Sequence, residues 1–146
     1  MKSDIRLENL QPTINNSEII SNSQKPKPFN LEERLSLFSG EVLKYCNLFN
    51  KTTESQILIS QFLRSATSIG ANYIEACEAL SKKDYLYRLR VSRKEAKEAI
   101  YWLKLLKQNY LQNPDKVKEL LDEVIQLKNI LSTIILNTEK KIRFKT

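Results

Sequence analysis

The chain has 146 residues, with 24 Lys or Arg against 17 Asp or Glu, a net charge of +7 and no histidine. That length suits one domain, and two glycines with four prolines leave little material for the turns a sheet requires. Without histidine the commonest general base and metal ligand is gone, while the positive balance favours an anionic partner such as RNA, DNA or anionic lipid.

Residues 1–29 are rich in Asn, Ser, Lys and Pro and end in Lys25–Pro28, KPKP. They read as a disordered leader with a short turn near Ile19 and Ile20. No apolar run approaches the ~18 residues of a membrane span, and the polar N-terminus lacks a signal-peptide core. The expectation is a cytoplasmic protein with no membrane partner.

The first helix should open at Asn30, whose side chain can cap free amides while Glu33 reaches back. Leu31, Leu35, Phe38, Val42, Tyr45 and Phe49 then form one seam in steps of four and three. Gly40 interrupts it at about 1 kcal/mol relative to alanine, a sign of close helix contact or of simple tolerance. Asn50 and Lys51 are expected to close this helix, and Thr53 with Gln56 to cap the next.

In the second helix Ile59, Phe62, Ala66, Ile69, Tyr73, Ala76 and Leu80 share one line, with Leu63, Thr67, Gly70, Ile74 and Cys77 on a line beside it. Two adjacent stripes predict a helix buried on a wide face. Ser81, three residues before Asp84, predicts a reversal between Leu80 and Lys82. No Gly or Pro marks that break, so a bent continuous helix is the alternative. Cys46 and Cys77, far apart and without CxxC spacing, are expected to be reduced, small core residues.

The third helix carries Tyr85, Leu89, Ser92, Ala96, Ala99, Leu103, Leu106 and Tyr110 on its seam. Asn113 and Pro114, a cap followed by proline at the first helical position, open the fourth. There Val117, Leu120, Val124, Leu127, Leu131 and Ile134 form the seam, flanked by Leu121, Ile130 and Ile135. The helix is expected to fade near Lys140, Lys141, Arg143 and Lys145, with 142–146 a frayed basic tail. The predicted fold is all-α, an antiparallel up-down-up-down four-helix bundle over residues 30–141.

In a hairpin that reverses at Ser81, positions whose numbers sum to roughly 162 lie level with each other. Arg64 then faces Glu98 or Glu95, and Glu75 faces Arg88, as ion pairs that fix register. No second acid, nucleophile or metal ligand is spaced around them, so no catalytic, metal or cofactor site is expected. Between Lys82 and Lys107 nine cations stand against Asp84, Glu95 and Glu98. Of these, Lys83, Arg90, Arg93, Lys94, Lys97, Lys104 and Lys107 are the candidate contacts to nucleic-acid phosphate. Tyr87, Tyr101 and Trp102 lie close enough to stack on unpaired bases, although Trp102 reads more simply as core or interface.

The blocks RSATSIGANYIEA (Arg64–Ala76) and SKKDYLYRLRVSRKEAKEAIYWLKLL (Ser81–Leu106) resemble the bacterial family named for reading frames in intervening sequences of 23S ribosomal RNA genes. Matching positions are Arg64, Ser68, Ile69, Asn72, Glu75 and Ala76, then Ser81, Lys82, Tyr85, Leu89, Glu95, Ala96, Tyr101, Trp102 and Leu103. The likeness spans roughly Phe29 to Leu136. It departs after the first block, where Cys77–Leu80 replaces a Gly-containing link.

This resemblance implies a four-helix bundle that assembles as a ring-like homopentamer with no established enzymatic activity. The family is also similar to accessory proteins of diversity-generating retroelements, basic bundles that bind nucleic acid and a reverse transcriptase. The resulting expectation is a non-enzymatic oligomeric scaffold or accessory factor that binds RNA or DNA through its third helix. The alternative is a structural or protein-interaction module, such as a reverse-transcriptase partner, that does not itself touch nucleic acid.

Overall fold

A computed structural model describes residues 30–50 and 52–144. They form four helices and no strand: α1 (Leu31–Cys46), α2 (Thr53–Cys77), α3 (Lys82–Asn109) and α4 (Pro114–Arg143). Lys51, residues 145–146 and the leader, with its Ile19–Ile20 turn and KPKP run, lie outside the described residues.

Three of the four caps are the ones the sequence marks. The side chains of Asn30, Ser81 and Asn113 accept hydrogen bonds from the backbone amides of Glu33, Asp84 and Lys116. Asn113 has φ 43, a left-handed conformation that asparagine tolerates better than most residues, and Pro114 follows directly. A true chain break at Ser81 therefore replaces the bent continuous helix.

The α1–α2 link differs from expectation. α1 stops at Cys46, where the Leu48 amide bonds the Tyr45 carbonyl and Phe49 turns back to pack edge-on against the Tyr45 ring, 5.1 Å between centroids. The N-cap of α2 is Thr52, one residue before the predicted pair. Ser55 is buried there; its hydroxyl accepts from the Thr52 amide, and its amide donates to the Thr52 hydroxyl. Thr53 and Gln56 point into solvent.

Each helix contacts only its chain neighbours, with α1 closing onto α4, so the bundle is square and antiparallel. The core is built largely from the predicted seams, except that Ile135 is buried at the end of α4 where the spacing predicts Ile134, and Leu86 joins the core from outside the α3 seam. α2 and α3 form the most extensive pair because their shared face is small: Ser65, Ala66, Ser92, Ala96 and Ala99 are buried on it. Small side chains let the backbones approach closely enough for the Ser92 hydroxyl to donate to the Ile69 carbonyl at 2.7 Å.

α1 is held to α4 by charge as well as by leucines. Arg34 forks onto Glu123 at 2.6 and 2.8 Å, and Lys116 meets Glu41. Hydrogen bonds from Lys116 and Lys44 hold the Glu41 carboxyl down at about 2.

Two expectations about burial are corrected. The second line of α2 is not a buried stripe, since Thr67, Ile74 and Cys77 are exposed, and Leu80, expected at the end of the first line, stands wholly in solvent in the link. α1 has 16 residues against 25 in α2, and its seam reaches the second line only in part, with Leu35 close to Gly70, so that Thr67 and Ile74 are left along an open groove. Cys46 is buried, which pushes its thiol up to about 11, whereas Cys77 is exposed; both are free. At the other end, Lys140, Lys141 and Arg143 form the last turn of α4 and are not a frayed tail. Cations there suit the negative end of the helix dipole, and Ile142 packs against the core. No described helix is long and apolar enough to cross a membrane.

Candidate nucleic-acid interface

With the α3 seam turned inward, the opposite side of the helix is a single column: Lys83, Tyr87, Arg90, Lys94, Lys97, Tyr101 and Lys104. The steps alternate four and three, so these residues stay in line over about 32 Å at 1.5 Å per residue. All seven are exposed, and no acid interrupts the column. Its members are about 5 Å apart along the axis.

Five of the seven candidate cations are thus brought together. Lys83, Lys97 and Lys104 form no ion pair among the described residues, and Lys94 acts weakly on Glu95 from the helix flank. Arg90 is partly committed, since its guanidinium donates to Glu139 of α4 at 2.7 Å. Arg93 and Lys107 lie off the column. They repeat at seven-residue intervals with Leu86 and Ile100, at the edge of the core, and Arg93 is half-buried.

The aromatic residues divide. Tyr87 and Tyr101 present just over half their surface to solvent within the column. The Arg88 guanidinium lies 5.7 Å from the Tyr87 ring centre, and Trp102 meets Tyr101 edge-on at 5.0 Å. Trp102 itself is half-buried against the core, with its indole N–H buried and unbonded among the described residues. It packs against the bundle.

Beside the column, the α2–α3 seam carries the polar pairs. Arg64 reaches Glu95 at 3.5 Å and Glu98 at 3.3 Å, and Arg88 bonds Glu75. Glu95 is 7 % exposed. Burial pushes its carboxyl above the usual range, against the opposing pull of Arg64, and the nearby Glu98 adds to the rise. These contacts lock the helices in register and keep five charged side chains engaged with one another. No group of metal-ligating side chains occurs among the described residues.

The Arg34–Glu123, Glu41–Lys116 and Arg90–Glu139 pairs had no sequence signal, because hairpin arithmetic does not relate α1 to α4 or give the tilt between α3 and α4.

The family model of the 23S rRNA-intervening sequence protein matches residues 33–133. The chain belongs to this family. Among solved structures it is similar to a crystal structure from Bacteroides thetaiotaomicron, described as a protein of unknown function from the S23 ribosomal protein family. The two are 27% identical, with a TM-score of 0.67, and the match covers 73% of this chain and 98% of that one. No curated protein matches the chain. The stretch shared with the 23S rRNA-intervening sequence proteins takes in the whole of α2 and α3, and so the entire cationic column and the Arg64 and Arg88 pairs. Glu139, which restrains Arg90, falls beyond it.

Proposed function

We propose that this chain is a non-enzymatic, homo-oligomeric bundle that binds RNA or DNA without strong sequence preference, through the exposed face of α3, as a scaffold or accessory factor. The column of Lys83, Arg90, Lys94, Lys97 and Lys104, free of acids and interleaved with Tyr87 and Tyr101, carries this reading. Cations at regular spacing neutralise successive phosphates, and exposed tyrosines give unpaired bases a surface to stack on. Around a ring of subunits, five by the family resemblance, the columns would add. In this reading a reverse transcriptase is the protein partner that the likeness to retroelement accessory proteins offers.

The test compares two variants of equal net charge by fluorescence anisotropy on labelled oligo(dT) and oligo(U). Lys94→Glu with Lys97→Glu should weaken binding at least tenfold. Lys118→Glu with Lys141→Glu, both exposed on α4, should change it by less than threefold. Equal losses would show that net charge alone attracts the ligand, and no loss in either would leave the protein-interaction reading.

A further inference from the structure

The groove between α1 and α2 has an unusual surface. Eight residues line each of its two stretches, and Glu32 is the one charged side chain among them. In a chain that is 28% charged, so neutral an exposed strip requires a cause. Its walls carry Leu43 and Ile74, each about half exposed, and Leu48 and Ile57, next in sequence to its lining residues Asn47 and Gln56, are exposed as well. Its middle is lined with small residues, Ser39, Thr67, Gly70 and Ala71. Beside it Gly40 faces open space, with nothing within 4 Å of the Cβ it lacks. A mid-helix glycine costs about 1 kcal/mol relative to alanine, and nothing within the described chain uses the room it leaves.

We propose that this α1–α2 face is one half of the contact between copies of the chain, seated on a different face of the next copy as a ring requires, a proposal that rests on the homo-oligomeric reading above and gives it a location. Charge selects the occupant. Two copies that each carry +7 repel each other, and they approach at least cost through a face without cations. A nucleic acid or an acidic protein would be drawn to the α3 column instead. The face also has the relief that helix packing uses, with protruding leucine and isoleucine at the ends and hollows at Gly40 and Ala71 between them. Depletion of charge in the centre with polar groups outside is the usual composition of a protein interface. The 16 residues of α1 make it about 24 Å long, and two helices about 10 Å apart make it about 20 Å wide. Such a patch, roughly 480 Å² before side-chain relief is counted, supplies over half of the roughly 800 Å² per partner of a specific contact.

Light scattering on the full chain, at tens of micromolar and moderate salt, tests this. The wild type should have a mass that is a multiple of 17.1 kDa. Leu43→Arg and Ala71→Arg, both exposed in the single chain, should each run at the monomer mass with unchanged helical circular dichroism. Should either fail to fold, Gly40→Ala replaces it. That variant should raise the melting temperature of the single chain yet weaken self-association several-fold. A wild-type oligomer that persists unaltered in all three variants overturns the proposed face and leaves the oligomeric reading standing. A wild type at the monomer mass overturns both. A monomer that associates only after residues 1–29 are deleted would place the leader in the groove, and that also overturns the proposal.

Discussion

Arg64→Ala probes how the α2–α3 register is held. Arg64 is half exposed and its contacts with Glu95 and Glu98 are long, 3.5 and 3.3 Å, so as a surface pair it would contribute under ~1 kcal/mol. Glu95, however, is 7 % exposed, and leaving a buried carboxylate unpaired costs ~3–5 kcal/mol. With one partner wet and the other dry, the loss should fall between these limits, at about 2 kcal/mol near neutral pH. That corresponds to roughly 4–8 °C in melting temperature for a chain of this size. The sign of the pH dependence follows from Glu95. Its folded-state pKa is raised by burial, so ionising it costs stability as pH rises through that value, and protonating it restores stability as pH falls. Removing the guanidinium raises the pKa further. The deficit of Arg64→Ala should therefore be full at neutral pH and shrink in acid. In a Glu95→Gln background the same substitution should cost under ~1 kcal/mol, because no buried charge is left behind. Urea unfolding of the four proteins in this cycle, at pH 7.5 and near pH 4, reads both effects. Equal costs of Arg64→Ala in the two backgrounds, unchanged by pH, would refute the reasoning.

Other substitutions test other links in the fold. Leu103→Ala empties a fully buried position on the α3 seam and should cost ~3–5 kcal/mol in urea unfolding, near the loss for a site that cannot collapse. Asn113→Ala removes both the α4 cap and a residue suited to φ 43, and it should cost about 1–2 kcal/mol by the same assay. Gly70→Ala would place a Cβ 3.5 Å from that of Leu35, an ordinary contact, so thermal melting of this variant should show a gain of up to ~1 kcal/mol. Ser92→Ala removes a buried hydrogen bond to the Ile69 carbonyl but opens almost no cavity. It should cost about 1 kcal/mol, seen as a lowered urea midpoint.

The parts of the fold legible in the sequence are those decided by a helix itself. The α3 seam from Leu89 to Leu106 and the α4 seam from Val117 to Leu131 are buried because their three-four steps admit one inward face. The Asn113–Pro114 start is equally local. What the sequence hid depends on a neighbour's length or tilt. Thr67, Ile74 and Cys77 have the spacing of a buried stripe, but burial requires a helix to cover them; α1 leaves Thr67 and Ile74 along its groove, and Cys77 lies at the turn into α3. Thr52 and Thr53 are equally good caps by residue type; the tertiary burial of Ser55 chooses between them. At the candidate site the lysines were legible from charge. Their separation from Arg93 and Lys107 appears once Leu86 and Ile100 fix the inward side, and the restraint on Arg90 appears once α4 brings Glu139 beside it.

The central claim is that the outer face of α3 neutralises phosphate, and the salt dependence of binding to a labelled single strand measures it directly. If Lys83, Lys94, Lys97 and Lys104 each displace a counterion, log affinity should fall against log salt with a slope of about −3 per chain. The slope should drop to about half that in Lys94→Glu with Lys97→Glu. A slope near zero in the wild type, or the same slope in both proteins, would contradict the account.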